Sequence, residues 1–228
     1  MSAEKIYTIR ISEAMDKKCG CPLCEIERQL RDDEVERILG ASMMEPNVRV
    51  QTNAKGFCSK HLDDMMAKSN RLSLALMLST HMQELNKKIF ADCVPLMSKM
   101  PDAKKQVSAL TKKACSCYLC ERENAFMNAT YGAFVYMYKS MDDFEEKLKQ
   151  QPYICLKHTR LLFENAIKSL SKDQLKGFAA TINEVNMRYS AELVEDVDWF
   201  CKKFDYRYKD ADWKNSKDSV ERAVKFLK

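Results

Sequence analysis

The sequence contains little glycine and proline, with five residues of each among 228. Sandwiches and barrels of β-strands need turn residues at frequent intervals, so this scarcity argues against them. Lysine, glutamate, leucine, methionine and alanine, which favour helices, are abundant instead. We therefore predict an all-α fold, in a chain long enough to bury a hydrophobic core without a metal ion.

Long apolar runs are also missing. No stretch reaches the roughly 18 to 20 apolar residues that a membrane span needs, and residues 1–5 do not begin a signal peptide. The sequence predicts a cytoplasmic protein without a membrane partner. In that compartment thiols stay reduced, so its ten cysteines indicate metal binding or catalysis rather than disulfides.

Charge of one sign does not dominate the chain. The formal net charge is +5, and acidic runs such as residues 142–146 interrupt the basic ones. Nucleic acid is therefore a weak candidate partner, for which the segment with Tyr206, Arg207, Tyr208 and Trp213 would supply basic and aromatic groups.

The cysteines and histidines form one pattern that occurs twice. Each copy has a Cys-x-Cys-x-x-Cys segment and, 34 or 35 positions after its last cysteine, a Cys-x-x-His segment. The first copy contains Cys19, Cys21, Cys24, Cys58 and His61, and the second contains Cys115, Cys117, Cys120, Cys155 and His158. This spacing predicts an internal duplication into helical-hairpin repeats. We divide the chain into a first repeat (1–94), a linker (95–105), a second repeat (106–205) and a C-terminal helical tail (206–228), and expect them to form one globular unit.

Apolar residues at steps of three or four predict the main helices. One stripe runs from Phe126 through Met141 to Leu148, another from Phe178 to Phe204 after a Ser171 cap, and a third from Leu74 to Ile89. A helix from about Glu25 should end near Gly40. Pro46 with residues 48–50 suggests a loop or a short extended piece, and Ser216 is a candidate cap for a short final helix.

Two metal sites follow from the duplicated pattern, one in each repeat. Two-residue spacers let both ligands of a pair face one tetrahedral ion. We predict that Cys21, Cys24, Cys58 and His61 form one Cys3His site and that Cys117, Cys120, Cys155 and His158 form the other. Ordinary buried cysteines with unrelated histidines are the alternative, but two of the three histidines lie at equivalent positions of the repeat.

Zinc is the predicted metal, with two ions per chain, because sets of four mixed sulfur and nitrogen ligands suit it. An iron-sulfur cluster is the alternative. Cys19 and Cys115 are possible accessory thiols, either packed near the metal or reactive. Glu25, Glu27, Glu121 and Glu123 are interpreted as acids of the first helical turn, and His81 as a packed core histidine.

The residues Cys21-Pro22-Leu23-Cys24-Glu25 and Gly56-Phe57-Cys58-Ser59-Lys60-His61, with their second copy, resemble a domain-of-unknown-function family of anaerobic Gram-positive bacteria. This resemblance implies metal binding and brings no known activity. The second copy departs from it by having Tyr118 where the first has Pro22, a change that should alter the rigidity of the turn.

The signatures of phosphate loops, zinc proteases and dinucleotide folds are missing, so we assign no catalytic residue and lean against an enzyme. The leading prediction is a zinc-stabilised helical protein that binds another protein. A redox or metal-handling protein is second, and a nucleic-acid-binding protein is third.

Overall fold

A computed structural model describes residues 2–91 and 93–228, except for the side chains of residues 2–5, 94 and 96. Within those residues all regular elements are helical and there is no strand, which confirms the all-α fold. None of the described helices is both long enough and apolar enough to cross a membrane. The α-helices are α1 (Ser2–Lys17), α2 (Pro22–Leu39), α3 (Pro46–Lys55), α4 (Ser59–Ala67), α5 (Arg71–Leu85), α6 (Cys93–Met97), α7 (Met100–Ala114), α8 (Tyr118–Ser140), α9 (Phe144–Lys149), α10 (Leu156–Ser169), α11 (Lys172–Lys202) and α12 (Ser219–Leu227).

The chain forms two compact units, of which the first is made of both ends of the chain and the second of the segment between them. The first unit contains Met1–Arg28 and Met127–Lys228, and the second contains Gln29–Phe126. Helices α2 and α8 therefore contribute residues to both units. The two units are defined by packing between residues. The boundaries at residues 94, 105 and 205 come from the sequence repeat, and they stay a prediction.

The first unit is built around aromatic and aliphatic side chains of α8 to α11. Phe134, Phe144 and Phe178 are fully buried, and the rings of Phe134 and Phe144 meet edge to face at 5.0 Å. Helix α11 is capped by Ser171, whose hydroxyl accepts a hydrogen bond from the amide of Gln174 in a capping box. This confirms the predicted Ser171 cap.

The second unit has its own hydrophobic core, in which α3 packs against α5. The buried side chains come from α2, the short 3-10 turn after it, α3, α4, α5 and the start of α8. They are Val35, Ile38, Leu39, Met43, Val48, Met65, Leu74, Met77, Cys117, Tyr118 and Leu119. Two of the ligand motifs therefore start from a packed core rather than from a mobile surface loop.

Two sequence predictions of local structure are wrong. Residues 46–55 form α3 rather than a loop or an extended piece, because Pro46 occupies the first turn, where a missing N–H costs nothing. The predicted long helix through Leu148 is interrupted between Ser140 and Phe144, so it forms α8 and α9. Met141 and Phe144 keep the apolar spacing on both sides of the break, which periodicity alone cannot detect.

Other segments agree with the sequence in part. The helix expected from about Glu25 to Gly40 is α2, and the stripe from Leu74 to Ile89 is α5 followed by a π-helical turn, Asn86–Phe90. The region predicted as a linker, 95–105, lies mostly in α6 and α7. The short final helix is present as α12, but its cap position is Asp218 and not Ser216.

Candidate metal centres

The two Cys-x-x-Cys motifs and the two Cys-x-x-His motifs converge into two groups of four ligands. Cluster A consists of Cys21, Cys24, Cys155 and His158, and cluster B consists of Cys58, His61, Cys117 and Cys120. In each cluster the ligand atoms lie within 4.8 Å of one another. Cluster A belongs to the first unit and cluster B to the second.

The predicted partition of the eight residues is wrong. The sequence analysis joined the motifs of one repeat, whereas each cluster joins the Cys-x-x-Cys motif of one repeat to the Cys-x-x-His motif of the other. The ligand types and the motif spacing are the same in both arrangements, so the sequence does not distinguish them. The exchange is reciprocal, and each repeat therefore supplies two ligands to both clusters.

Helix starts position all eight ligands. Cys58 and Cys155 have extended backbone conformations directly before α4 and α10, which carry the histidines in their first turns. The first cysteine of each Cys-x-x-Cys motif directly precedes α2 or α8, and the second lies in the first turn. Each cluster therefore faces the N-terminal ends of two helices, whose partial positive charge stabilises thiolates.

The distances suit a single tetrahedral ion. In cluster A three Sγ atoms lie 3.2 to 3.5 Å from Nδ1 of His158, the Sγ atoms of Cys24 and Cys155 lie 3.5 Å apart, and all the ligand atoms lie within 4.8 Å of one another. In cluster B the corresponding contacts are 3.3 to 3.7 Å. Bonds of about 2.3 Å to sulfur and about 2.0 Å to nitrogen hold tetrahedral ligand atoms roughly 3.5 to 3.8 Å apart. The residues present therefore fit one ion per cluster, held through Nδ1 of the histidine.

A glutamate approaches the other nitrogen of each histidine. Nε2 of His61 lies 2.8 Å from Oε1 of Glu123, and Nε2 of His158 lies 3.7 Å from Oε2 of Glu27. A carboxylate in this position orients a ligating imidazole and increases its basicity. The interpretation of Glu27 and Glu123 as acids of the first turn missed this role. The signal was available, because each glutamate follows its Cys-x-x-Cys motif by three residues and continues the same helix face.

The two carboxylates are not equally engaged. Glu123 is bound directly to His61, whereas Glu27 accepts hydrogen bonds at 2.6 and 2.8 Å from Nζ of Lys157. Nε2 of His158 is buried and has no hydrogen-bond partner among the residues that the structure describes. In cluster B, Nε2 of His61 therefore has a carboxylate partner. In cluster A, Nε2 of His158 has no hydrogen bond to a described residue.

Protons are shared unevenly among the ligands. Burial alone would raise the pKa of Cys117, but hydrogen bonds, first from His61, lower it to about 6. Burial likewise opposes the positive charge of His61, yet its bonds to Cys117 and Glu123 raise its pKa to about 10. Burial raises the pKa of Cys120 to about 12. A metal ion held by cluster B at neutral pH would have to replace protons on His61 and Cys120, so acid would oppose its binding.

Cluster A shows the same imbalance between its thiols. Hydrogen bonds from Cys21 and Cys24 hold the pKa of Cys155 far below its usual range. The bond to Cys155 raises the pKa of Cys24 to about 12, and burial raises the pKa of Cys21. One thiolate is thus stabilised in each cluster before metal binds, while Cys120 in cluster B and Cys21 and Cys24 in cluster A, whose pKa values are raised, keep their protons.

The loops before the two Cys-x-x-Cys motifs differ in how they are fixed. Next to cluster B, the amide of Tyr118 donates to the carbonyl of Gly56 at 3.0 Å, and the hydroxyl of Ser116 donates to the carbonyl of Lys55 at 2.6 Å. Next to cluster A, Pro22 has no N–H to donate. Gly20 has φ +130°, and a Cβ there would lie 3.2 Å from the hydroxyl of Tyr153. The turn of cluster A is therefore fixed by proline and by close packing on a glycine.

The accessory thiols lie outside both clusters. Cys19 and Cys115 are exposed, and neither belongs to a four-ligand group. Within the clusters, Cys24, Cys58 and Cys120 are partly exposed and the other ligands are buried. The third histidine, His81, is half-buried, with its Nδ1 2.8 Å from the carbonyl of Asn53.

The aromatic segment considered for nucleic acid is held largely by internal contacts. The ring of Tyr208 packs on Trp199 at 5.8 Å, and that of Trp213 on Phe200 at 5.9 Å. Arg207 forms an ion pair with Asp205 at 2.6 Å. Tyr206 is 85% exposed.

The sequence model of one protein family, a family of unknown function (DUF6062), matches residues 1–228. The chain belongs to this family. Neither a curated protein nor a solved structure matches the chain. For this member of DUF6062, the ligand geometry is therefore the main guide to function.

Reciprocal pairing of the motifs can be tested with double substitutions. Cys24→Ser with Cys155→Ser removes ligands from cluster A alone, so we expect metal bound per chain to fall from two ions to about one, since each site needs its own four ligands. Cys24→Ser with Cys58→Ser removes one ligand from each cluster and should impair both sites. Metal analysis after gel filtration measures these contents. If the first pair loses both ions and the second keeps one, the motifs pair within each repeat.

The carboxylate beside His61 should tune its metal site. Glu123→Gln keeps the size of the side chain and removes its charge, and we expect the metal affinity of cluster B to fall about 10- to 100-fold. Glu27→Gln is the matched control and should have a smaller effect on cluster A, because Glu27 lies 3.7 Å from its histidine. Competition with a coloured chelator measures both affinities. Equal effects would contradict the proposed difference between the two histidine environments.

Proposed function

We propose that this protein is a zinc-stabilised helical binding protein with two structural Cys3His sites. The observation that carries the proposal is the convergence of four protein ligands in each cluster. Four protein ligands fill a tetrahedral shell and leave no position for water or substrate, which is typical of structural zinc. The zinc ions would hold helix starts together, and the surface so fixed would bind a partner.

Zinc is favoured over an iron-sulfur cluster by geometry and by ligand type. A cluster distributes its ligands over several iron atoms, so the ligand atoms stand further apart than around one ion. Here all four ligand atoms of each group lie within 4.8 Å. Mixed thiolate and imidazole ligation also suits zinc.

A protein partner is supported by exposed apolar side chains in the second unit. Leu72 and Leu76 lie one turn apart on α5 and are 70% and 42% exposed, and Val50 on α3 is 69% exposed. Since α3 packs against α5, these side chains belong to neighbouring helices. Exposed apolar groups that are close together indicate a binding surface for another protein.

Metal handling or redox chemistry is the second candidate. It is supported by the partial exposure of Cys24, Cys58 and Cys120, through which a competing ligand has access to a bound ion, and by the exposed thiols Cys19 and Cys115. The metal content distinguishes the two candidates.

Protein purified without oxygen should contain about two zinc ions per chain, matching two closed sites, and should show no visible absorption band. Removal of zinc by a strong chelator should lower the midpoint of thermal unfolding, because the binding free energy of structural zinc contributes to folding. Atomic emission and circular dichroism measure the two effects. Iron with sulfide and a brown colour would instead establish the redox candidate, and unchanged thermal stability after zinc loss would contradict a structural role.

The partner surface can be tested separately. Leu72→Asp with Leu76→Asp should abolish the cross-link that the unchanged protein forms with a partner protein in its source cells. The introduced charges oppose the burial of apolar contacts. Ile167→Asp with Met187→Asp is the matched control, since both residues are at least 60% exposed and lie in the other unit. Both variants should keep their zinc. Cross-links that survive in the α5 variant would place the partner elsewhere.

A further inference from the structure

A pocket of about 350 Å³ lies beside cluster A in the first unit. This volume is enough for a small molecule. The lining residues are Cys19, Cys21, Cys24, Glu25, Arg28, Tyr153, Lys225 and Lys228. The pocket thus combines basic side chains with one thiol, Cys19, that belongs to neither cluster, and metal binding explains neither of these.

Cys19 is the thiol of this pocket that metal binding leaves free. Cys21 and Cys24 are ligands of cluster A, whereas Cys19 is exposed and belongs to neither cluster. Gly20 connects Cys19 to Cys21, and its positive φ together with its contact to Tyr153 fixes the turn between them. A thiol that belongs to neither cluster therefore lies next to the two ligands Cys21 and Cys24 of cluster A.

The charged side chains of the pocket favour an anion. Glu25 is bound to Arg28 at 2.9 Å and to Lys17 at 2.8 Å. Lys225 and Lys228 are exposed, and neither forms an ion pair with a carboxylate side chain in the described part of the chain. The two lysines are thus available to bind carboxylates of a ligand.

We propose that the pocket beside cluster A binds small disulfides that carry carboxylates, and that Cys19 forms a mixed disulfide with them. The Sγ atom of Cys19 attacks one sulfur of the bound disulfide. A new S–S bond forms to Cys19, the original S–S bond breaks, and the second half leaves as a thiolate that takes up the proton lost by Cys19. The small disulfide is the oxidant, and one thiol is released for each thiol consumed.

The second copy of the motif provides an internal comparison. The pocket beside the matching segment is lined by Lys55, Lys112, Lys113, Ser116, Glu121 and three apolar residues, and not by Cys115. Cys115 is nevertheless exposed, as Cys19 is. The two thiols therefore differ in whether they line a basic pocket, which makes Cys115 the reference for the reactivity of Cys19.

The proposal rests on the proposed metal binding in one respect, which is that the ion occupies Cys21 and Cys24. The test therefore uses the full chain with its metal bound and measures the metal content first. Protein without metal would contradict the proposed function, whereas protein that holds its metal and shows no preference for Cys19 would contradict only the disulfide site.

Oxidised glutathione, an anionic disulfide, and cystamine, a cationic one, are the probes. Peptide mapping by mass spectrometry follows modification at Cys19, Cys115 and Cys201, which is also exposed. We expect oxidised glutathione to modify Cys19 at least about 10-fold faster than Cys115, because the basic pocket concentrates the anion. Cystamine should not show this preference.

Charge reversal provides the decisive control. Lys225→Glu with Lys228→Glu should remove most of the preference for Cys19, whereas Lys209→Glu with Lys217→Glu changes the net charge equally at exposed positions outside the pocket lining and should preserve it. Equal rates at Cys19 and Cys115, a preference that survives charge reversal in the pocket, or first modification at Cys21 or Cys24 would each overturn the proposal.

Discussion

The structure depends on bringing three thiols and an imidazole within 4.8 Å of one another at two places, where most of these side chains are buried. Without an ion this arrangement is unfavourable, because burial opposes thiolate charge and the remaining protons must be shared between neighbouring sulfur atoms. A divalent ion replaces those protons and compensates most of the thiolate charge. The two helix N-termini that face each cluster stabilise the negative charge that remains. The helix starts therefore converge on two groups of ligands that could each hold a metal ion.

The sequence predicted the helical class and the residues that converge, but it did not predict how they are shared. Cys24 has two possible partners with the same motif, Cys58 and Cys155, and the distance along the chain does not favour the true one. The choice depends on packing within each unit, where the second core brings Tyr118 and Leu119 next to Met65 of α4. Such contacts follow from tertiary structure and leave no periodic signal.

Local errors have similar physical origins. Pro46 breaks a helix in most positions but begins one here, so its neighbours Val48 and Val50 form part of α3. Glu27 and Glu123 satisfy the general preference for acids near a helix start, and this preference concealed their contact with the histidines. In both cases an average tendency of a residue type was correct, while its particular neighbours determined the outcome.

The reciprocal pairing also determines when each site becomes complete during synthesis. All four ligands of cluster B are present once residue 120 has been made, and Cys58 and Cys120 close a segment of 62 residues. Cluster A must await His158, and Cys24 and Cys155 close a segment of 131 residues that contains cluster B. Counted along the unfolded chain, the longer closure would cost only about 0.6 kcal/mol more, because loop entropy grows with the logarithm of length, and cluster B, once formed, shortens the free part of that segment. During synthesis the ligands of cluster B are therefore complete before those of cluster A. The ligands of cluster A then join the two ends of a segment that already contains cluster B.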